Sequence, residues 1–407
     1  MTPADAAPVP GAFDGGFDTA TLRPLVPAVI GVLVRRGADF ATAEDAVQEA
    51  LVEAWRTFGA PGSGDRAEPP RDLKGWLVTV AWRRFLDVVR SESARQRREV
   101  AVDLEPERGP AETADDTLRV FFLCAHPALT PASAVALTLR AVAGLTTRQV
   151  AEAYLVPEAT MAQRISRAKR TVSGEAFDRP GDLATVRRVL YLVFNEGYSG
   201  DVDLAAEAIR LTRQLAALAG PDGQDPETDG LLALMLLHHA RRPARLRDDG
   251  TLVPLPDQDR SRWDTGLIEE GVAVLQAALA QQRRGEYQLQ AAIAALHVDA
   301  PSAEETDWVQ VVQWYDELLA LTGSPVVRLN RAVAVGEADG ARAGLAALAE
   351  VDPDLPRHRA ASAYLHEKDG DLATAARLYA EAAGLATNLA ERTHLTREAA
   401  RLNRAAR

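Results

Sequence analysis

The chain reads as an all-α protein of several domains, and three observations carry that expectation. Aromatic residues make up only 5% of its 407 residues, against 47% for the wider hydrophobic set, a composition weighted toward Ala, Leu and Arg that suits helices. Apolar residues recur at intervals of three and four through most of its length. Helix-capping signals recur as well, with Ser/Thr-x-x-Glu/Gln/Asp spacings, Pro just inside helix starts and Gly just past helix ends.

The N-terminal 1–22 is rich in Gly, Pro, Ala and Asp and is expected to be a disordered tail. Thr42 and Asp45 form a capping pattern that opens a helix from Ala43 to about Phe58. Ala46, Val47, Ala50, Leu51 and Ala54 give it an apolar face, while Asp45, Gln48, Glu49 and Glu53 lie toward the polar side. The Gly- and Pro-rich stretch from Gly59 to Asp72 is a loop. A helix from Leu73 to Ser91 follows, with Lys74, Trp76, Trp82, Arg83, Arg84, Phe85 and Arg90 interleaved. Aromatic faces beside cations suit single-stranded nucleic acid, although Trp76 and Phe85 equally suit a core. Glu99 to Thr117 is acidic and weakly periodic.

Thr130 and Pro131 open the next helix, Ala132 to Ala143, which Gly144 ends. Thr146 and Gln149 form a capping box for Thr147 to Tyr154. Pro157 then starts a basic helix holding Thr160, Gln163, Arg164, Arg167, Lys169 and Arg170. With Ala151 at a close crossing and Val156 and Met161 beneath, the pair follows helix-turn-helix logic, the second helix entering a major groove. A three-helix unit with a solvated basic face is the plainer alternative.

Charge sharpens this division. The net charge is −12, yet residues 1–174 carry 21 positive and 22 negative side chains and residues 175–407 carry 25 and 36. Segments 71–98 and 128–174 are net +5 and +4, separated by a net −6 across 99–117. The basic segments suit a polyanion, and the acidic second half does not.

Cys124, the single cysteine, excludes an internal disulfide, suits a reducing compartment and sits in an apolar run as a small hydrophobe. No run is long enough to span a membrane and the N-terminus lacks a leader pattern, so the cytoplasm is expected. Glu196, His238, His239, Asp257, Asp259 and His297 are metal-ligand types, but their spacing fits no compact ligand motif. Asp257 to Asp264 are expected to cap helices and pair with Arg260 and Arg262. No phosphate-cradling Gly loop or nucleophile motif is present, so neither enzyme nor cofactor chemistry is expected.

The order AEDAVQEALVEAWRTF, DLKGWLVTVAWRRFLDVVR, acidic linker, LTPASAVALTLRAVAGLTTRQVAEAYLVPEATMAQRISRAKR resembles a bacterial RNA polymerase sigma factor of the extracytoplasmic-function type. The resemblance divides the chain into region two (23–98), an acidic linker (99–127), region four (128–174) and an extension (175–407). A frequent family glycine in the helix-turn-helix corner is Leu155 here, and a frequent asparagine after the Trp-Leu motif is Arg83. The runs LYLVFNEGYSGD, DQDRSRWD and YQLQAAIAALH resemble a long extension of one subgroup, described as tetratricopeptide-like. A 30-residue offset aligns VGEADGARAGLAAL with LHEKDGDLATAARL, both helix, Gly turn, helix.

The resemblance implies roles. Asp45, Gln48 and Glu49 would meet the clamp helices of the polymerase largest subunit. Lys74, Trp76, Trp82, Arg83 and Arg84 would hold the melted promoter element, and the linker would lie in a basic polymerase channel. In the distal promoter element, Arg164 or Arg167 would read a base edge while Lys169 and Arg170 meet phosphates, with Thr160 and Gln163 as further readers. The extension is expected to regulate the sigma half through an apolar interface from Leu183 to Phe194, with a regulatory protein or ligand as its partner. Two rival readings are a polymerase-tethered adaptor and a ligand-sensing regulator.

Overall fold

The computed structural model describes residues 22–59, 69–96, 114–154, 156–173, 182–196, 203–218, 225–247, 251–386 and 389–405. The expected tail (1–21 of it), most of the Gly59–Asp72 loop, the linker to residue 113 and the Leu155 corner lie outside them. The described chain is helical, with an isolated β-bridge between Leu246 and Leu252. It divides into two compact units, 1–207 and 208–407.

In the first unit, α1 (Val26–Arg35) packs on α2 (Phe40–Ala54), α3 (Leu73–Gln96) and α4 (Ala114–Cys124). Val29, Ile30 and Leu33 of α1 are fully buried. The start of α2 differs from the Thr42 expectation. Asp39 is the N-cap, accepting from Thr42 N at 3.0 Å, and the helix begins three residues earlier. Both capping patterns compete for the same turn, and an aspartate at the extended position accepts from the third amide beyond it. The helix closes in a π-helical turn, Trp55–Gly59, which brings Phe58 edge-on to Trp76, ring centroids 5.1 Å apart.

The segment assigned to the linker is helical from Ala114. In α4, Val120, Phe121 and Cys124 are buried, and burial pushes the Cys124 thiol well above its ordinary range. The weak period of 99–117 hides this because only the last turns of α4 carry apolar residues. Then come α5 (Pro131–Ala141), α6 (Thr147–Ala153) and α7 (Glu158–Val172). Thr130 caps α5, the Thr146–Gln149 capping box is complete, and Gly144 has φ +71°. Pro157 stands at the N-cap of α7, one residue before the expected first turn. Last in this unit is α8 (Leu183–Glu196), capped by Asp182 and packed on α5 and α4 through Val186, Val189, Leu190 and Val193.

The second unit is built on α10 (Pro226–Ala240), which follows α9 (Leu204–Leu218). Seven consecutive residues of α10, Leu231 to Leu237, are buried, as in a helix surrounded by others. It packs against α11 (Arg242–Arg245), α12 (Thr265–Ala280) and α13 (Glu286–Asp299). Gly230 permits the α10–α13 approach, since a Cβ there would stand 2.7 Å from Gln288 N. Onward, α14 (Trp308–Thr322), α15 (Pro325–Ala338), α16 (Ala341–Leu348), α17 (His358–Lys368), α18 (Leu372–Leu385) and α19 (Leu389–Ala405) pack on their neighbours in succession. Gly340 (φ +94°) turns α15 into α16 and Gly370 (φ +86°) turns α17 into α18, where the 30-residue offset placed them. Ala375, Tyr379 and Ala382 are buried in the last hairpin.

Candidate nucleic-acid and polymerase interface

The helix-turn-helix rests on an apolar seam. Leu137, Leu139, Leu145, Val150 and Ala151 of α5, α6 and their connection are buried, as are Met161, Ile165, Ala168 and Val172 of α7, which packs on both helices. The opposite stripe of α7 carries Thr160, Gln163, Arg167 and Arg170, exposed, and Arg164, partly buried. These five share one face by the three- and four-residue spacing.

Lys169 departs from the expected phosphate contact. It is 9% exposed, on the buried stripe four residues after Ile165, and its ammonium meets two carboxylates of α2. It pairs with Glu44 and, at 2.6 Å, with Asp45. Glu44 is fully buried and also pairs with Arg140 of α5 at 3.1 Å. Arg140 in turn donates to Gln48 Oε1 at 2.9 Å and to the Leu145 carbonyl at 3.0 Å. Two of the three expected polymerase contacts, Asp45 and Gln48, are therefore engaged by the helix-turn-helix half. Glu49 stays exposed, 3.8 Å from Arg84.

Glu44 and Arg140 were not among the expected functional residues. The available signal was position: Glu44 falls on the apolar stripe of α2, beside Ala43 and Val47, where a carboxylate must find a cation. A second omission is the outer stripe along α2 and its closing turn. Val52 and Trp55 are 48% and 43% exposed, and with Asp45 and Gln48 they recur at alternating intervals of three and four. Apolar residues at that period suit a coiled-coil partner.

On α3 the expected strand-holding residues split. Arg83 is exposed, and Lys74 and Trp76 are partly buried. Trp82 leans on Phe85, 5.1 Å between centroids, with the Arg36 guanidinium 5.7 Å from its ring. Arg84 is tied to α2 by Glu53 at 2.7 Å. Leu183 and Phe194 are both partly buried at opposite ends of α8. Among the described residues no group of three or more His, Cys, Asp or Glu side chains is arranged to hold a metal ion, and no helix is long and apolar enough to cross a membrane.

Residues 22–95 match the family described as Sigma-70 region 2, and residues 122–172 match Sigma-70, region 4. A protein from two strains of Mycobacterium tuberculosis, described as a probable ECF RNA polymerase sigma factor SigI, is 29% identical over 191 residues, covering 44% of this chain and 63% of that protein. The chain thus carries sigma-70 regions 2 and 4 and is similar to an extracytoplasmic-function sigma factor. Sigma factors are not enzymes, and these two regions imply binding of core RNA polymerase and promoter DNA. Residues 182–279 match a family of unknown function, DUF6596. An uncharacterized protein of Rhizobium meliloti (strain 1021) is 39% identical over 414 residues, 94% of this chain and 95% of its own length, so the likeness includes the extension. No solved structure matches.

Proposed function

We propose that this protein is an alternative sigma factor whose free form is closed, with region four folded onto the polymerase-facing helix of region two. The observation that carries the reading is the buried Arg140–Glu44–Lys169 cluster, which joins α5 and α7 to α2. Core polymerase would compete for Asp45, Gln48, Glu49, Val52 and Trp55, releasing α7. The exposed stripe from Thr160 to Arg170 would then read the distal promoter element, with Arg164 or Arg167 on a base edge. Arg83, Trp82 and their neighbours on α3 would hold the melted strand, an unstacking step that needs a receptive surface and no chemical catalyst.

The extension, tetratricopeptide-like in its last two hairpins, is proposed to regulate this balance in the cytoplasm. The packing of α8 on α4 and α5 supports that role, because α5 carries Arg140. Run-off transcription with core polymerase tests the main reading: transcripts must depend on the protein. Transcription unaffected by the protein would leave a polymerase-tethered adaptor as the better description. Comparing chains that end at Thr171 and at Glu196 with the full chain tests the extension; equal activity and equal helix content in all three would remove its regulatory role.

A further inference from the structure

The corner of the second unit where α10 ends gathers positive charge. Several arginines of this unit are paired: Arg213 with Glu270, Arg284 with Glu317, Arg331 with Asp316, Arg357 with Glu391 and Arg401 with Glu367. An acidic extension offers such partners freely. Arg241 just beyond α10, Arg245 at the end of α11 and Arg260 in the turn before α12 lie near one another, and among the described residues none of the three forms an ion pair. Glu304 acts on Arg260 from nearby, and Arg245 and Arg260 act on Arg241.

Neutral groups hold Arg241 and Arg260 in place. Arg241 donates to His238 Nδ1 at 2.8 Å, which leaves the histidine proton on Nε2. Arg260 lies 4.5 Å from the centre of the Trp263 ring and donates to the carbonyls of His297 and Ala300 at 2.7 and 2.8 Å. This replaces the expected pairing of Arg260 with the aspartates of DQDRSRWD, of which Asp259 and Asp264 serve as caps. His297 stands edge-on to Trp308 at 5.3 Å. Burial, and then the nearby cations, hold His238 at about 3 and His297 at about 4, and push Arg241 down to about 10. The helix ends of α10 and α13 supply about half a negative charge each, less than three whole cations require. Trp263 is 6% exposed, and its Nε1–H meets no acceptor among the described residues.

We propose that this corner, formed by Arg241, Arg245, Arg260 and His238 with Trp263 beside them, binds a small phosphate-bearing molecule. A dianion with several acceptor oxygens matches neighbouring guanidinium forks better than a single carboxylate does. Such a ligand would bridge the end of α10, α11, the turn before α12 and the end of α13, and so couple occupancy to the packing of the extension. The site stands independently of the sigma-factor reading, since it lies wholly in the second unit.

The experiment titrates inorganic phosphate, and separately glycerol phosphate, into the full chain in phosphate-free buffer. Imidazole resonances and thermal unfolding are followed together. Phosphate is expected to raise the pH at which His238 and His297 protonate and to raise the melting temperature. Arg241→Met should weaken the response about tenfold, the usual effect of losing a charge-assisted hydrogen bond. The double variant Arg164→Ala/Arg167→Ala should leave it unchanged. Unmoved imidazoles in the unaltered chain overturn the proposal, whether or not Arg241→Met folds. So does a response that persists in Arg241→Met, or one that disappears with Arg164 and Arg167.

Discussion

Replacing Glu44 by alanine or glutamine should open the first unit without unfolding its helices. The Glu44 side chain has no exposed surface, and those of Arg140 and Lys169 are 14% and 11% exposed. Without the carboxylate, Arg140 has no ion-pair partner and Lys169 keeps only Asp45, in a nearly dry site. Breaking a buried ion pair by removing one partner costs about 3–5 kcal/mol. Opening relieves most of that cost, because both freed side chains are long enough to reach water. The cost therefore falls on the closed arrangement, and about 3 kcal/mol shifts the closed-to-open ratio roughly a hundredfold. Labels placed at exposed Arg56 and Ser166 after substitution by cysteine report the separation of α2 and α7 by energy transfer. The native Cys124 thiol is fully buried and should stay unlabelled. Glu44→Gln, similar in shape but uncharged, should open the unit as Glu44→Ala does, and both should bind core polymerase more tightly. An unchanged label distance in both variants, with helix content intact, would refute the closed arrangement as an electrostatic latch.

Arg164→Ala or Arg167→Ala should cost about 1–3 kcal/mol on the cognate promoter and relax one position, measured by binding to single-base promoter variants; uniform losses on all sequences would move base reading to Thr160 or Gln163. Trp55→Ala should weaken core polymerase in a pull-down by more than the charge reversal of Asp45 and Glu49 does, since exposed aromatics anchor interfaces. Gly230→Ala should destabilise the second unit by about 1–3 kcal/mol in thermal unfolding, the Cβ meeting the α13 backbone. His238 and His297 are neutral in the fold, held down by burial and by Arg241, with Arg245 near the first and Arg260 near the second. The unfolded chain therefore binds more protons below pH 6.5, so stability should fall as pH drops from 6.5 toward 4 and be complete above it. His238→Gln should flatten that acid limb in denaturant titrations.

Much of the fold was legible because its signals are local. The Thr146–Gln149 box, Thr130 with Pro131, and the glycines at 144, 340 and 370 each act within a few residues of the chain. Charge counting found the basic stripe of α7 for the same reason. What escaped was what depends on a partner distant in sequence. Lys169 looked like one more basic residue until its helical position, in line with Met161 and Ile165, turned it inward. Glu44 is 125 residues from Lys169, and only the folded unit brings them together. The α4 helix was missed because its stabilising contacts lie on α1 and α5 rather than within its own sequence. Competition between adjacent capping residues decided the start of α2, a choice that depends on backbone geometry at Asp39.

The place where α8 sits bears on how such a chain can be recombined. Region four as a family ends at residue 172 and the extension family begins at 182, so a genetic cut between them looks clean. The physical seam runs elsewhere, because α8 belongs to the first compact unit and Val186, Val189, Leu190 and Val193 complete its apolar interior. A chimera joined at the family border would carry an orphaned apolar helix on one side and an uncovered α5 on the other. Exchange of whole extensions between such chains would therefore keep α8 with the half whose α4 and α5 it covers, which places the junction beyond Glu196.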